Sequence, residues 1–170
     1  MKAAVTCGLA LWAGAAMAHP HSRVDQQVHL SVGLDWVEIA VLITPAATDG
    51  ATTREVLDLD GNGILDPAEA AVFRDTVLAN LEMTLNGAPL TSEGAAMRHD
   101  PLDALADGLG HIQITAQAPF RADLQSLSVA IHYDGLGPDW FIQPFYASDL
   151  PAPWPQVLRS DDTRRIELRK

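Results

Sequence analysis

Beyond residue 7 the chain contains no cysteine, since Cys7 is the only one in 170 residues. This excludes a framework of intramolecular disulfides, a zinc site built on thiolates and, past that point, a thiol nucleophile. Basic side chains are also scarce, with Lys+Arg 11 against Asp+Glu 22 and a net charge of −11. Binding to phosphate backbones needs clustered Lys and Arg, so nucleic acid is excluded as a partner. The Gly-x-Ser-x-Gly, His-Glu-x-x-His and phosphate-loop signatures are missing, and the chain reads as non-enzymatic. Apolar runs are short, and none reaches the roughly 20 residues of a membrane-spanning helix.

The longest apolar run lies at the start. Lys2 supplies a positive charge, residues 3–16 are almost wholly apolar, and Ala16-Met17-Ala18 places small residues where a signal peptidase requires them. The expectation is a signal peptide over 1–18, cleavage before His19, and a periplasmic or secreted protein that is not membrane-spanning after processing. Residues 19–170 then make a single domain of about 150 residues, long enough to bury a core. An exported domain without disulfides holds itself by core packing or by a bound metal, and the acidic balance suits a cation binder.

Period-two alternation dominates the rest of the chain. Val28, Leu30 and Val32 alternate within 24–34, and Val37, Ile39, Val41 and Ile43 continue in the same rhythm, so both segments read as strands joined by a tight turn at 33–35. Residues 45–53 read as a loop and 53–57 as a short helical piece. The spacing predicts a helix over 67–81, with Asp66 as cap, Pro67 in the first turn, Glu69 completing a capping box, and Val72, Phe73, Val77 and Leu81 on one face. A strand-like 83–85 and an Asn86-Gly87 turn come next. Alternation returns over 111–118, 125–133 and 164–169. The segment 135–155, rich in proline and aromatics, reads as irregular, and Trp36, Trp140, Phe141, Phe145, Tyr146 and Trp154 as core or loop-anchoring residues. The fold class expected is mainly β, an antiparallel sandwich-like α+β domain, with a helix-loop-helix inserted after the first hairpin at about 52–81.

Between the two helical pieces stands the sharpest motif, Asp58-Leu59-Asp60-Gly61-Asn62-Gly63-Ile64-Leu65-Asp66-Pro67-Ala68-Glu69. Calcium prefers six to eight oxygens, and a twelve-residue EF-hand-type loop supplies them from positions 1, 3, 5, 7, 9 and 12. Those positions hold Asp58, Asp60, Asn62, the Ile64 carbonyl, Asp66 acting through water, and Glu69 binding with both oxygens. Gly63 occupies position 6, where the chain turns sharply, and Leu65 the apolar anchor position 8. Four carboxylates brought together without a cation would repel one another. The loop has no second copy in the chain, so it must be braced by the β domain or by another molecule. A structural calcium site then fits better than a switch that opens a groove.

The new amino terminus, His19-Pro20-His21, offers an amine and imidazoles to copper, nickel or cobalt, with His29, His99, His111 and His132 as more distant donors. A transition-metal chaperone built on His19 and His21 is the alternative function.

Taken together, the chain resembles a family of bacterial extracytoplasmic domains associated with, or fused to, nickel/cobalt-type membrane transporters. The matching features are the signal peptide followed by His19-Pro20, early strands leading to the 58–69 loop, Leu85-Asn86-Gly87-Ala88-Pro89-Leu90, and His132-Tyr133-Asp134-Gly135. The resemblance implies an accessory role beside a membrane transporter subunit. The function expected is therefore that of an exported calcium-binding protein accessory to a metal transporter.

Overall fold

The computed structural model describes residues 23–170. The signal peptide over 1–18 and the histidines His19 and His21 lie outside the described residues. Ten strands form two five-stranded sheets. The strands are β1 (Asp25–Val32), β2 (Trp36–Thr44), β3 (Leu81–Leu85), β4 (Ala88–Pro89), β5 (Glu93–His99), β6 (Ile112–Pro119), β7 (Ser126–Ile131), β8 (Phe141–Tyr146), β9 (Gln156–Arg159) and β10 (Arg165–Arg169). One sheet runs β5-β6-β2-β1-β8 and the other β4-β3-β7-β10-β9. Three helices complete the described residues: α1 (Gly50–Leu57), α2 (Pro67–Ala79) and α3 (Leu102–Ala106).

The mainly β expectation holds, and so does the alternation that led to it. Val28, Leu30 and Val32 of β1 and Val37, Ile39, Val41 and Ile43 of β2 are all buried, and the same phase buries Ile112, Ile114, Ala116 and Ala118 of β6. Side chains of a strand point alternately to its two faces, so a period of two in apolar residues selects one face for the core. The turn between β1 and β2 closes with Gly33 N–H donating to Trp36 O at 2.9 Å. Seven of the eight strand pairings are antiparallel; the exception is β1 with β8, which run parallel in the register Gln27↔Phe141 to Val32↔Tyr146.

Several boundaries differ from the sequence reading. Segment 45–53 is a 3-10 turn (Ala47–Asp49) followed directly by α1, rather than a loop. Helix α2 stops at Ala79, and Leu81 opens β3 instead of closing the helix. Val72 is 52 % exposed, whereas Ala70, Phe73 and Val77 carry the buried stripe. The offsets of three and four residues from Ala70 to Phe73 and from Phe73 to Val77 define that face, and Val72 sits about 100° away from Phe73. Strand β8 lies inside the segment read as irregular. Pro144 is tolerated there because β8 is an edge strand. Among the aromatics, Trp140 belongs to the core, but Phe141, Phe145 and Trp154 are exposed.

The helical pair α1–α2 connects β2 of one sheet to β3 of the other, so the loop between the helices sits on the crossover between sheets. Leu57 at the end of α1, Leu65 late in the loop, and Phe73 and Val77 of α2 all enter the common core. Phe73 packs edge-on against Tyr133 with ring centroids 5.8 Å apart, and Tyr133 against Trp140 at 6.3 Å. Trp140 Nε1–H donates to the Tyr133 carbonyl at 2.7 Å. This aromatic chain fastens α2 to the end of β7 and the connection after it. Burial also pushes the Tyr133 phenol up to about 12.

Candidate metal centre

Helix α1 ends as Asp58 N–H donates to Arg54 O at 2.8 Å, and α2 begins at Pro67, so residues 58–66 must cross from one helix to the other. Two left-handed residues make the bend, Gly61 at φ 72° and Gly63 at φ 82°. A Cβ at either would meet nothing within 4 Å, so the demand for glycine is torsional rather than steric.

The bend folds successive backbone N–H groups onto the loop's own acidic side chains. Asn62 N–H donates to Asp58 Oδ1 and to Asp60 Oδ1, each at 3.0 Å, and Gly63 N–H donates to Asp58 Oδ2 at 2.8 Å. The Asn62 amide donates to Asp60 Oδ2 at 2.8 Å, while its Oδ1 accepts from Ile64 N–H at 2.8 Å. From the far side Glu69 reaches back. Its Oε1 accepts from Leu59 N–H at 2.7 Å and Asp60 N–H at 3.2 Å, and its Oε2 from Asp66 N–H at 3.1 Å.

As a result, carboxylate oxygens of Asp58, Asp60 and Glu69 all lie within 4.8 Å of one another. Asp60 is exposed, Asp58 half-buried, and Glu69 only 7 % exposed, which makes it the sole buried carboxylate among the described residues. Backbone donors offset part of the mutual repulsion, and a cation of the right size would offset the rest. The oxygens are hard ligands on a glycine-jointed segment, a chemistry that suits Ca²⁺ and Mg²⁺ and disfavours soft metals.

Asp66 behaves differently from the other three carboxylates. Its Oδ1 accepts from Ala68 N–H at 2.7 Å and Glu69 N–H at 2.9 Å, so it is the N-cap of α2, and the capping box with Glu69 is complete. It is not a member of the converging group. The exposed Ile64 side chain faces solvent, and Leu65, only 7 % exposed, anchors the loop in the core. Thus the six sequence-derived ligand positions sort into three converging carboxylates, two residues tied into the loop's turns (Asn62 and Ile64), and one cap.

The histidines do not join such a cluster among the described residues. His29 on β1 lies 2.9 Å from Gln27 Oε1 and edge-on to Phe145 at 5.2 Å. His132 lies 3.3 Å from Glu82, and His111 lies 3.5 Å from Asp100. His99 Nδ1 is 3.0 Å from the Asp100 carbonyl oxygen.

Neither a protein-family model nor a curated protein matches this chain.

Proposed function

We propose that residues 58–69 form an EF-hand-type calcium loop, and that the chain is an exported, non-enzymatic calcium-binding protein accessory to a membrane metal transporter. The observation that carries the calcium reading is the approach of Asp58, Asp60 and Glu69 oxygens to within 4.8 Å on a loop bent at two left-handed glycines. In the occupied state Asp58, Asp60 and Asn62 supply side-chain oxygens, Ile64 its carbonyl, Asp66 a water-mediated contact, and Glu69 two oxygens. Glu69 exchanges backbone hydrogen bonds for the ion, and the N–H groups on Asp58 keep that side chain oriented.

Calcium is favoured over magnesium because magnesium demands a tighter octahedron with shorter bonds than a flexible loop imposes. The loop is unpaired, so its affinity falls in the range of extracellular modules, on the order of 10⁻⁴ to 10⁻³ M. Its role is to secure the crossover between the two sheets, because the residues flanking the ligands are core residues of both helices. The transporter role rests on the resemblance carried by the chain's motifs. Calorimetric titration of the chain with calcium and with magnesium tests the ion assignment: calcium binds one-to-one and more tightly than magnesium. Loss of the gene lowering nickel or cobalt uptake by the cells that make the protein tests the accessory role.

A further inference from the structure

The two sheets have four edge strands, β5 and β8 on one and β4 and β9 on the other. An edge strand invites pairing with a further chain unless something blunts it. Three of the four are blunted. Strand β5 is bulged between Glu93 and Ala96 and carries Glu93, Arg98 and His99. Strand β4 is two residues long and ends in Pro89. Strand β8 contains Pro144, and its Ile142 carbonyl accepts from Arg159 Nη1 at 2.5 Å. Strand β9, Gln156-Val157-Leu158-Arg159, has neither bulge nor proline. Its single charge, Arg159, is turned onto β8, where the guanidinium also lies 4.2 Å from the Phe141 ring centre.

The open side of β9 has a definite chemistry. Ser160 N–H donates to Arg165 O at 3.0 Å. In the antiparallel ladder with β10 the backbone groups of Leu158 therefore face inward, and those of Val157 and Arg159 face outward. These outward groups meet no partner among the described residues. Val157 shares a face with the buried Leu168 yet is 42 % exposed, and Leu158 on the other face is 44 % exposed. The core is thus uncovered at this edge. Charge defines the occupant. Residues 159–170 hold five of the eleven basic side chains against three acidic ones, in a chain whose net charge is −11. Arg165 and Arg169 stand exposed on the solvent face of β10, opposite Ser160 and Gln156. Two β9 edges brought together would oppose like charges, which disfavours a second copy of this chain here. We propose that β9 is a strand-addition site for an extended acidic segment of a partner protein. The segment's backbone bonds to Val157 and Arg159, its apolar centre covers Val157 and Leu158, and carboxylates at its flanks reach Arg165 and Arg169.

The test is fluorescence anisotropy of the dye-tagged peptide acetyl-Thr-Glu-Val-Val-Val-Glu-Thr-amide, titrated with the chain at low salt in EDTA, beside its counterpart with lysine for glutamate. The acidic peptide binds saturably one-to-one, and the lysine peptide about tenfold more weakly. Val157→Pro removes an outward N–H without touching the β9–β10 ladder, and weakens the acidic peptide about tenfold. Arg165→Gln, at an exposed position, weakens it about threefold, and Arg98→Gln, exposed on β5, leaves it unchanged. The proposal is overturned by absence of saturable binding, by equal binding of the two peptides, or by an Arg98→Gln effect as large as that of Arg165→Gln. It is equally overturned if sedimentation shows a dimer of the chain that Val157→Pro dissociates, because a second copy then occupies the edge. The titration is run in EDTA, so none of these outcomes depends on the calcium assignment.

Discussion

Glu69 Oε1 accepts a 2.7 Å hydrogen bond from Leu59 N–H, joining the first turn of α2 to the second residue beyond the end of α1. The same carboxylate takes Asp66 N–H on its other oxygen. Glu69 thus closes the loop at both ends, and its charge is the one most deeply placed in the acidic cluster.

Glu69→Gln removes that charge while leaving one oxygen acceptor. At calcium ten times the dissociation constant, linkage adds about 1.4 kcal/mol to the wild-type folding free energy. For a domain of this size that corresponds to a rise in Tm of roughly 3–6 °C. The substitution abolishes most of the rise. Thermal unfolding of both proteins in EDTA and in millimolar calcium reads this directly, and equal shifts in the two, or none in either, would reject the loop as the calcium site.

Leu65→Ala leaves a cavity under the loop and costs about 2–4 kcal/mol. Ile64→Ala, next to it but with an exposed side chain, costs under about 0.5 kcal/mol. Urea midpoints in EDTA separate the two. A comparable loss for both would mean that Leu65 is not the anchor.

Asp66→Ala deletes the α2 cap and costs about 1 kcal/mol even without calcium, whereas Asp66→Asn retains an acceptor oxygen and costs only a few tenths. Far-ultraviolet circular dichroism through a urea titration in EDTA measures the difference. If both variants match wild type, the two N–H bonds to Asp66 contribute nothing to the helix.

The buried Tyr133 phenol, at about 12 against an ordinary 10, sets an alkaline limit. Its folded-state value is raised, so the stability it contributes is fully present below pH 10 and is lost as pH rises from 10 through 12. Tyr146 is shifted in the same direction, again by burial. Absorbance titration should show tyrosine ionising late and together with unfolding, and Tyr133→Phe should move the alkaline unfolding midpoint upward. Ionisation near the ordinary value of 10 with the fold intact would contradict the burial.

How far the sequence disclosed this structure depended on how directly each residue's neighbours are encoded locally. Strands β1, β2 and β6 alternate strictly because one face meets the core and the other solvent, and their positions were readable to within a residue or two. The cap and capping box of α2 were readable for the same reason, since Asp66 and Glu69 act within one turn. Strand β8 was hidden because its pairing with β1 is parallel and distant, and Pro144 masks it further. Strand β5 was hidden because its sequence, Glu-Gly-Ala-Ala-Met-Arg-His, is mostly exposed and carries a bulge between Glu93 and Ala96. In the loop, spacing identified all the acidic positions but not their division of labour. That Asp66 turns to the helix while Asp58, Asp60 and Glu69 face one another depends on backbone torsions at Gly61 and Gly63. Nothing local marked Gln26 either, because its partners Gly137 and Asp139 lie at the other end of the chain.

That last separation bears on the order in which the molecule can be assembled. The hydrogen bond from Gln26 to Gly137 spans 111 residues, and β1 lies beside β8 in the finished sheet. A chain that emerges amino terminus first presents the β1–β2 hairpin early, with one rail of β1 amides and carbonyls still unpaired. Loop closure over that distance is slow compared with the hairpin's own formation. During the interval β1 is an open template for any other extended chain. The nascent protein is therefore most vulnerable to mispairing at a strand that ends up flanked on both sides, and a chaperone that shelters it would act on β1 until residue 141 arrives.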